Sequence, residues 1–186
     1  MRWDSLFDDL ESQFHGEFAA QFRDEVTQNI RAEQAVETWA ERLEKLISHE
    51  LRLRLGPGLD ILGVLGPLGD SYLCFETDQA DWLISYRSIR SLSVPSGREQ
   101  ARRCRMGRPK IKFSTLLRSL MRDRSRIQLF DDSGAAIAEG TLSQVGADFL
   151  VLLIHPRDEF ARASSVTEQT MVPLSAVAWV ILPKGF

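Results

Sequence analysis

Residues 126–154 read RIQLFDDSGAAIAEGTLSQVGADFLVLLI. In RIQLF, Ile127 and Leu129 alternate with Arg126 and Gln128, the period of two expected of a half-buried strand. DDSG, ending at Gly134, supplies the turn. AAIAEGTLSQVGADFLVLLI then gives strands two and three, and TMVPLSAVAWVIL (Thr170 to Leu182) gives strands four and five. The same order occupies residues 51–94. Leu51, Leu53 and Leu55 alternate with Arg52 and Arg54, and Gly56-Pro57-Gly58 turns the chain. LDILGVLG is the second strand, SYLCFE the third, and DWLISY and SIRSLSV the fourth and fifth. Gly63 aligns with Gly140, Gly69 with Gly146 and Tyr72 with Phe149, each at an offset of 77 residues. Ile89 aligns with Val177 at an offset of 88, so the second copy carries 11 extra residues, around His155 to Gln169. Five short strands punctuated by turns predict a small barrel, here twice over. The paired glycines suit strands that must bend sharply or approach another backbone closely.

Outside the strands the period is helical. From Glu17 to Leu55 there is neither Gly nor Pro. Trp3, Phe7, Leu10 and Phe14 mark one apolar stripe, and Val36, Trp39, Leu43 and Leu46 mark another. Residues 1–49 are therefore expected to be a helical region, either two helices or one bent near His15-Gly16. Before the second copy, Phe113, Leu116, Leu117, Leu120 and Met121 fall at i, i+3, i+4, i+7 and i+8, with Ser114 as the expected cap.

With these elements laid out, the chain resembles the Sm and Sm-like fold, including the bacterial Hfq family. TMVPLSAVAWVILP (Thr170 to Pro183) is similar to the second Sm motif of Hfq, and WLISYRSIRSLSV is similar to it in the first copy. The whole chain also resembles a family of actinobacterial proteins, with no assigned activity, that open with MRW-x-x-LF-x-DLE. Here the matching stretches are MRWDSLFDDLE, MRDRS and GTLSQVGADF. The resemblance implies an α+β fold: an N-terminal helical region (1–49), then two tandem five-stranded Sm-like or SH3-like β-barrels, each preceded by a helix. The first barrel spans 50–95, a basic linker 96–112, and a helix with the second barrel 113–186. It also implies RNA binding and ring-like homo-oligomers. Sm proteins that hold RNA place an Asp and an Asn after strand two. The matching positions here are Gly69 and Leu73, then Gly146 and Leu150. The Lys-His pair of Hfq falls on Tyr86-Arg87 in the first copy and on Leu174-Ser175 in the second. Tyr86 and Arg87 alone keep the chemistry to stack on a base and bind phosphate.

Charge points to a second candidate. The net charge of −3 hides an acidic stretch at residues 1–50, with 12 carboxylates against 5 basic residues. Residues 98–126 hold 11 Lys/Arg against Glu99 and Asp123. Such a block is a candidate phosphate footprint. It comprises Arg98, Arg102, Arg103, Arg105, Arg108, Lys110 and Lys112 in the linker, then Arg118 and Arg122 one helical turn apart. Gly107-Arg108-Pro109-Lys110 resembles an AT-hook core, but Met106 stands where the hook has a second Arg. The plainer alternatives are a solvated linker, or pairing of this block with the acidic region.

Little supports catalysis. His15, His49 and His155 are scattered and in no metal-ligand spacing. GVLGPLG lacks the Lys-Ser/Thr and the following helix of a phosphate loop. Cys74 falls in a strand and is expected to be inert, whereas Cys104 among arginines would be a redox-sensitive thiol if exposed. HPRDE (His155 to Glu159) reads as a solvated loop tip. Two cysteines give no disulfide framework, no apolar run is long enough to span a bilayer, and the N-terminus is acidic rather than signal-like. The expectation is a cytoplasmic, non-catalytic protein with no metal and no cofactor. It would form homo-oligomers and bind RNA or DNA through 98–126. The alternative is a scaffolding module docking a protein partner through residues 1–49.

Overall fold

The computed structural model describes residues 35–56, 58–95, 110–156 and 166–184. The first strand, β1 (Glu50–Leu55), follows the alternation in its sequence. Leu51, Leu53 and Leu55 are fully buried, and Arg52 and Arg54 face solvent. Four further strands follow: β2 (Leu59–Leu68), β3 (Tyr72–Glu76), β4 (Ala80–Ser85) and β5 (Ile89–Ser93). A single 3-10 turn, Tyr86–Ser88, joins β4 to β5. The second set is β6 (Arg126–Phe130), β7 (Ala136–Val145), β8 (Phe149–Ile154), β9 (Glu168–Pro173) and β10 (Trp179–Pro183). Its 3-10 turn, Leu174–Ala176, joins β9 to β10.

The strands form one ten-stranded antiparallel sheet in the order β5-β1-β2-β3-β4-β10-β6-β7-β8-β9. This overturns the expected fold class of two tandem closed Sm-like or SH3-like barrels. Closure would require the fourth strand of each set to bond the fifth of its own set. Instead β4 bonds β10, with Trp179 opposite Ile84, Val180 opposite Leu83, Ile181 opposite Trp82, Leu182 opposite Asp81 and Pro183 opposite Ala80. The physical reason is edge satisfaction. The backbone groups along β4 must find partners, and a strand from the other half supplies them as well as a strand of its own half would. The halves are thereby welded into one open sheet. Its outer strands are β5, bonded to β1 alone, and β9, bonded to β8 alone, among the described residues.

One matched pair of glycines, Gly63 and Gly140, marks close approaches between strands. A Cβ on Gly63 would collide with the Glu76 carbonyl oxygen of β3, and one on Gly140 with the Leu153 carbonyl oxygen of β8. The two halves therefore bring their second and third strands together at equivalent points.

Two α-helices lie wholly among the described residues. The α1 helix (Trp39–Lys45) opens with a capping box. In it the Thr38 hydroxyl accepts the Glu41 amide at 3.3 Å, and the Glu41 carboxylate accepts the Thr38 amide at 2.7 Å. The α2 helix (Phe113–Arg122) begins after Lys112, not Ser114. Lys112 provides no side-chain cap, and its carbonyl accepts the amides of Thr115 and Leu116. The apolar stripe of α2 lies on the sheet. Leu117 is fully buried in a cluster with Ile127, Leu129, Leu142, Leu150, Leu152 and Val180, and Phe113, Leu116, Leu120 and Met121 pack around it. By contacts the chain divides into residues 1–43 and residues 44–186, and the whole sheet and α2 belong to the latter. Among the described residues no helix is long and apolar enough to cross a membrane.

Candidate functional site

The candidates in the basic block separate by what their side chains hold. Arg98, Arg102, Arg103, Arg105 and Arg108, with Cys104, lie outside the described residues. Lys110 places its Nζ 3.3 Å from Glu44 Oε1, so this one residue of the block is paired with the acidic stretch. Lys112 is exposed at the start of α2. Arg118 leaves the helix surface to clasp the turn between β7 and β8. Its Nε donates to the Val145 carbonyl at 3.3 Å and its Nη2 to the Gly146 carbonyl at 3.0 Å. Arg122, one helical turn further, is exposed, and so is Arg124 beyond the helix end. Lys112, Arg122 and Arg124 make no side-chain hydrogen bond or ion pair among the described residues. Arg126 is engaged: its Nε donates to Glu139 at 3.0 Å, and its two terminal nitrogens reach the carbonyls of Pro156 and His155.

Tyr86 and Arg87 occupy the 3-10 turn between β4 and β5. Tyr86 is half-buried, and its hydroxyl donates to the Gly69 carbonyl at 3.1 Å. Burial, then the charges of Glu44, Asp70 and Cys74, push its phenol up to about 12. Arg87 Nη2 donates to the Val177 carbonyl at 3.0 Å, and its Nε stands 3.9 Å from Asp132 Oδ2. The pair expected to stack on a base and bind phosphate is thus tied to the loop before β3 and to the second half of the sheet.

Two other expectations meet the structure. His155 does not sit on a solvated loop tip. It is 7% exposed directly after β8, with Nε2 2.9 Å from the Thr141 hydroxyl and Nδ1 3.0 Å from the Pro156 carbonyl. A ring whose Nδ1–H donates to that carbonyl accepts the Thr141 hydroxyl proton at Nε2. Cys74 is half-buried in β3. Burial, then the carboxylates of Glu76 and Asp81, push its thiol up to about 11. Among the described residues no group of three or more His, Cys, Asp or Glu side chains is arranged to hold a metal ion.

Sequence reading missed the aromatic residues at the weld between the halves. Trp82 on β4, Trp179 and Ile181 on β10 and Phe130 on β6 fall on one face of the sheet, because Ile181 stands opposite Trp82 and Trp179 opposite Phe130. The signal was present as one tryptophan in DWLISY and one in SAVAWVIL. Nothing in the sequence marks those two strands as neighbours. The chain matches no family model, no curated protein and no solved structure.

Proposed function

We propose that this chain is a non-catalytic interaction module that associates with copies of itself edge to edge. One observation carries the reading. Inside the chain the fourth strand of the first half is joined to the fifth strand of the second. The counterparts of those strands are β9 and β5, and they are the two open edges of the sheet among the described residues. The offset of 88 residues that aligns the halves carries the internal register outward. It sets Ser91 opposite Val172, Leu92 opposite Met171, Ser93 opposite Thr170 and Val94 opposite Gln169 in a neighbouring copy. Apolar side chains await a partner at these positions: Met171 is 68% exposed and Val94 43% exposed. The paired stretches 91–94 and 169–172 carry no charge, and the charges of the two edge strands, Arg90 and Glu168, stand outside them.

Sedimentation velocity at micromolar concentration tests this. The expected result is species heavier than the 21.1 kDa chain, reduced to that mass by Met171→Lys. A clean 21.1 kDa species for the unaltered protein overturns the reading.

A second reading, nucleic-acid binding, is favoured by Lys112, Arg122 and Arg124, which are exposed around the two ends of α2. It is weakened by Tyr86, Arg87, Lys110 and Arg118, whose polar groups are engaged within the chain. The docking of a protein partner through residues 1–49 concerns mostly residues outside those described.

A further inference from the structure

At the weld, one half gives the other more than a strand. The half that supplies β10 also supplies α2, and the half that supplies β4 also supplies Tyr72 on β3. Phe113, the first residue of α2, lies against Tyr72 with ring centroids 5.2 Å apart and planes at 50°. Just before the helix, the Ile111 carbonyl accepts the Asp70 amide at 3.4 Å. The start of α2 therefore clasps the turn that precedes the third strand of the other half, and a tilted aromatic pair closes the contact.

The outer edges carry the same parts. The half that ends in β5 begins with α1, and β9 lies beside β8, which opens on Phe149, the counterpart of Tyr72. From its first residue α1 repeats α2. It opens on Trp39 where α2 opens on Phe113, and four residues on Leu43 and Leu117 are both fully buried. At the next position Arg118 holds the turn at Gly146. Its counterpart Glu44 stands close enough for its charge to act on Tyr86, which holds the matched turn at Gly69. The aromatic residues differ in one respect. Phe113 has its ring partner, whereas Trp39 is 47% exposed and has no aromatic partner among the described residues. Phe149 is half-buried and also lacks one among those residues. We propose that these two rings meet between copies: α1 of the copy that supplies β5 packs Trp39 against Phe149 of the copy that supplies β9. The contact depends on the edge-to-edge association proposed above and adds a helix clasp to its strand pairing.

The test uses the full chain with p-benzoylphenylalanine in place of Trp39, mixed with an equal amount of unaltered protein labelled with 15N, irradiated and digested. The expected product joins residue 39 of the light chain to the segment 147–150 of the heavy one. In sedimentation velocity, Trp39→Ala should weaken association about tenfold, and Trp39→Phe, which copies Phe113, should keep it. Assemblies that form but give no light-to-heavy product at that turn overturn the contact and leave the strand pairing standing. Association unchanged in Trp39→Ala does the same. A clean monomer for the unaltered protein overturns both. Trp39 is partly exposed, so none of these replacements empties a core position.

Discussion

Arg118 shows how a cation of the right type in the right segment is diverted by its surroundings. Its position on an amphipathic helix, one turn from Arg122, is legible in the sequence. Its acceptors are not, because they are backbone carbonyls 27 and 28 residues further on. Backbone groups carry no residue-specific label, so a side chain bound to them cannot be told from a free one by composition. Tyr86 and Arg87 were obscured in the same way, one by the Gly69 carbonyl and the other by Val177. The two helix arginines should therefore behave oppositely. Arg118→Ala is expected to destabilise the fold by about 1 kcal/mol, less than a buried charge-assisted bond contributes because the residue is exposed. Arg122→Ala should leave the melting temperature unchanged. If the chain binds nucleic acid, Arg122→Ala should lower that affinity and flatten its salt dependence. Thermal melts, with anisotropy of labelled RNA and DNA at about 50 and 200 mM salt, check both arms.

Individual strands and the second helix could be read directly from the sequence, since alternation at residues 51–55 and the stripe from Phe113 to Met121 each admit one burial pattern. Which strands would neighbour one another could not. The edge of β4 offers the same backbone donors and acceptors to any antiparallel partner, and the sequence offered a resemblance in place of a rule. The doubled glycines were legible as a pair, and the structure supplies their cause in the nearness of β3 and β8. Gly63→Ala and Gly140→Ala are each expected to cost about 1–3 kcal/mol, because the obstructing atom is a carbonyl oxygen of the adjoining strand rather than a yielding side chain. Urea midpoints of the two variants should fall by similar amounts. A large loss in one and none in the other would break the equivalence of the halves.

At the scale of the whole molecule, the protein's two tyrosines give a compact report on the folded state. Burial, followed by Cys74, Asp70 and Tyr86, pushes the Tyr72 phenol up to about 12, matching Tyr86. An unfolded chain releases these protons near pH 10. The folded chain holds them to about pH 12, so the stabilisation is complete below pH 10 and is lost as pH rises from 10 to 12. Absorbance of phenolate should therefore stay low in the native protein at pH 10.5 and appear together with unfolding. Early, reversible ionisation of both rings without unfolding would contradict it.

The weld also dictates when the chain can be finished during its own synthesis. Ile84 on β4 meets Trp179 on β10, so the first half emerges from the ribosome and waits while some 95 further residues are made. At ordinary elongation rates that delay is roughly 5–20 s. Throughout it the nascent β4 offers a naked flank to every other newly made polypeptide nearby, and the tryptophan that fills its neighbourhood does not yet exist.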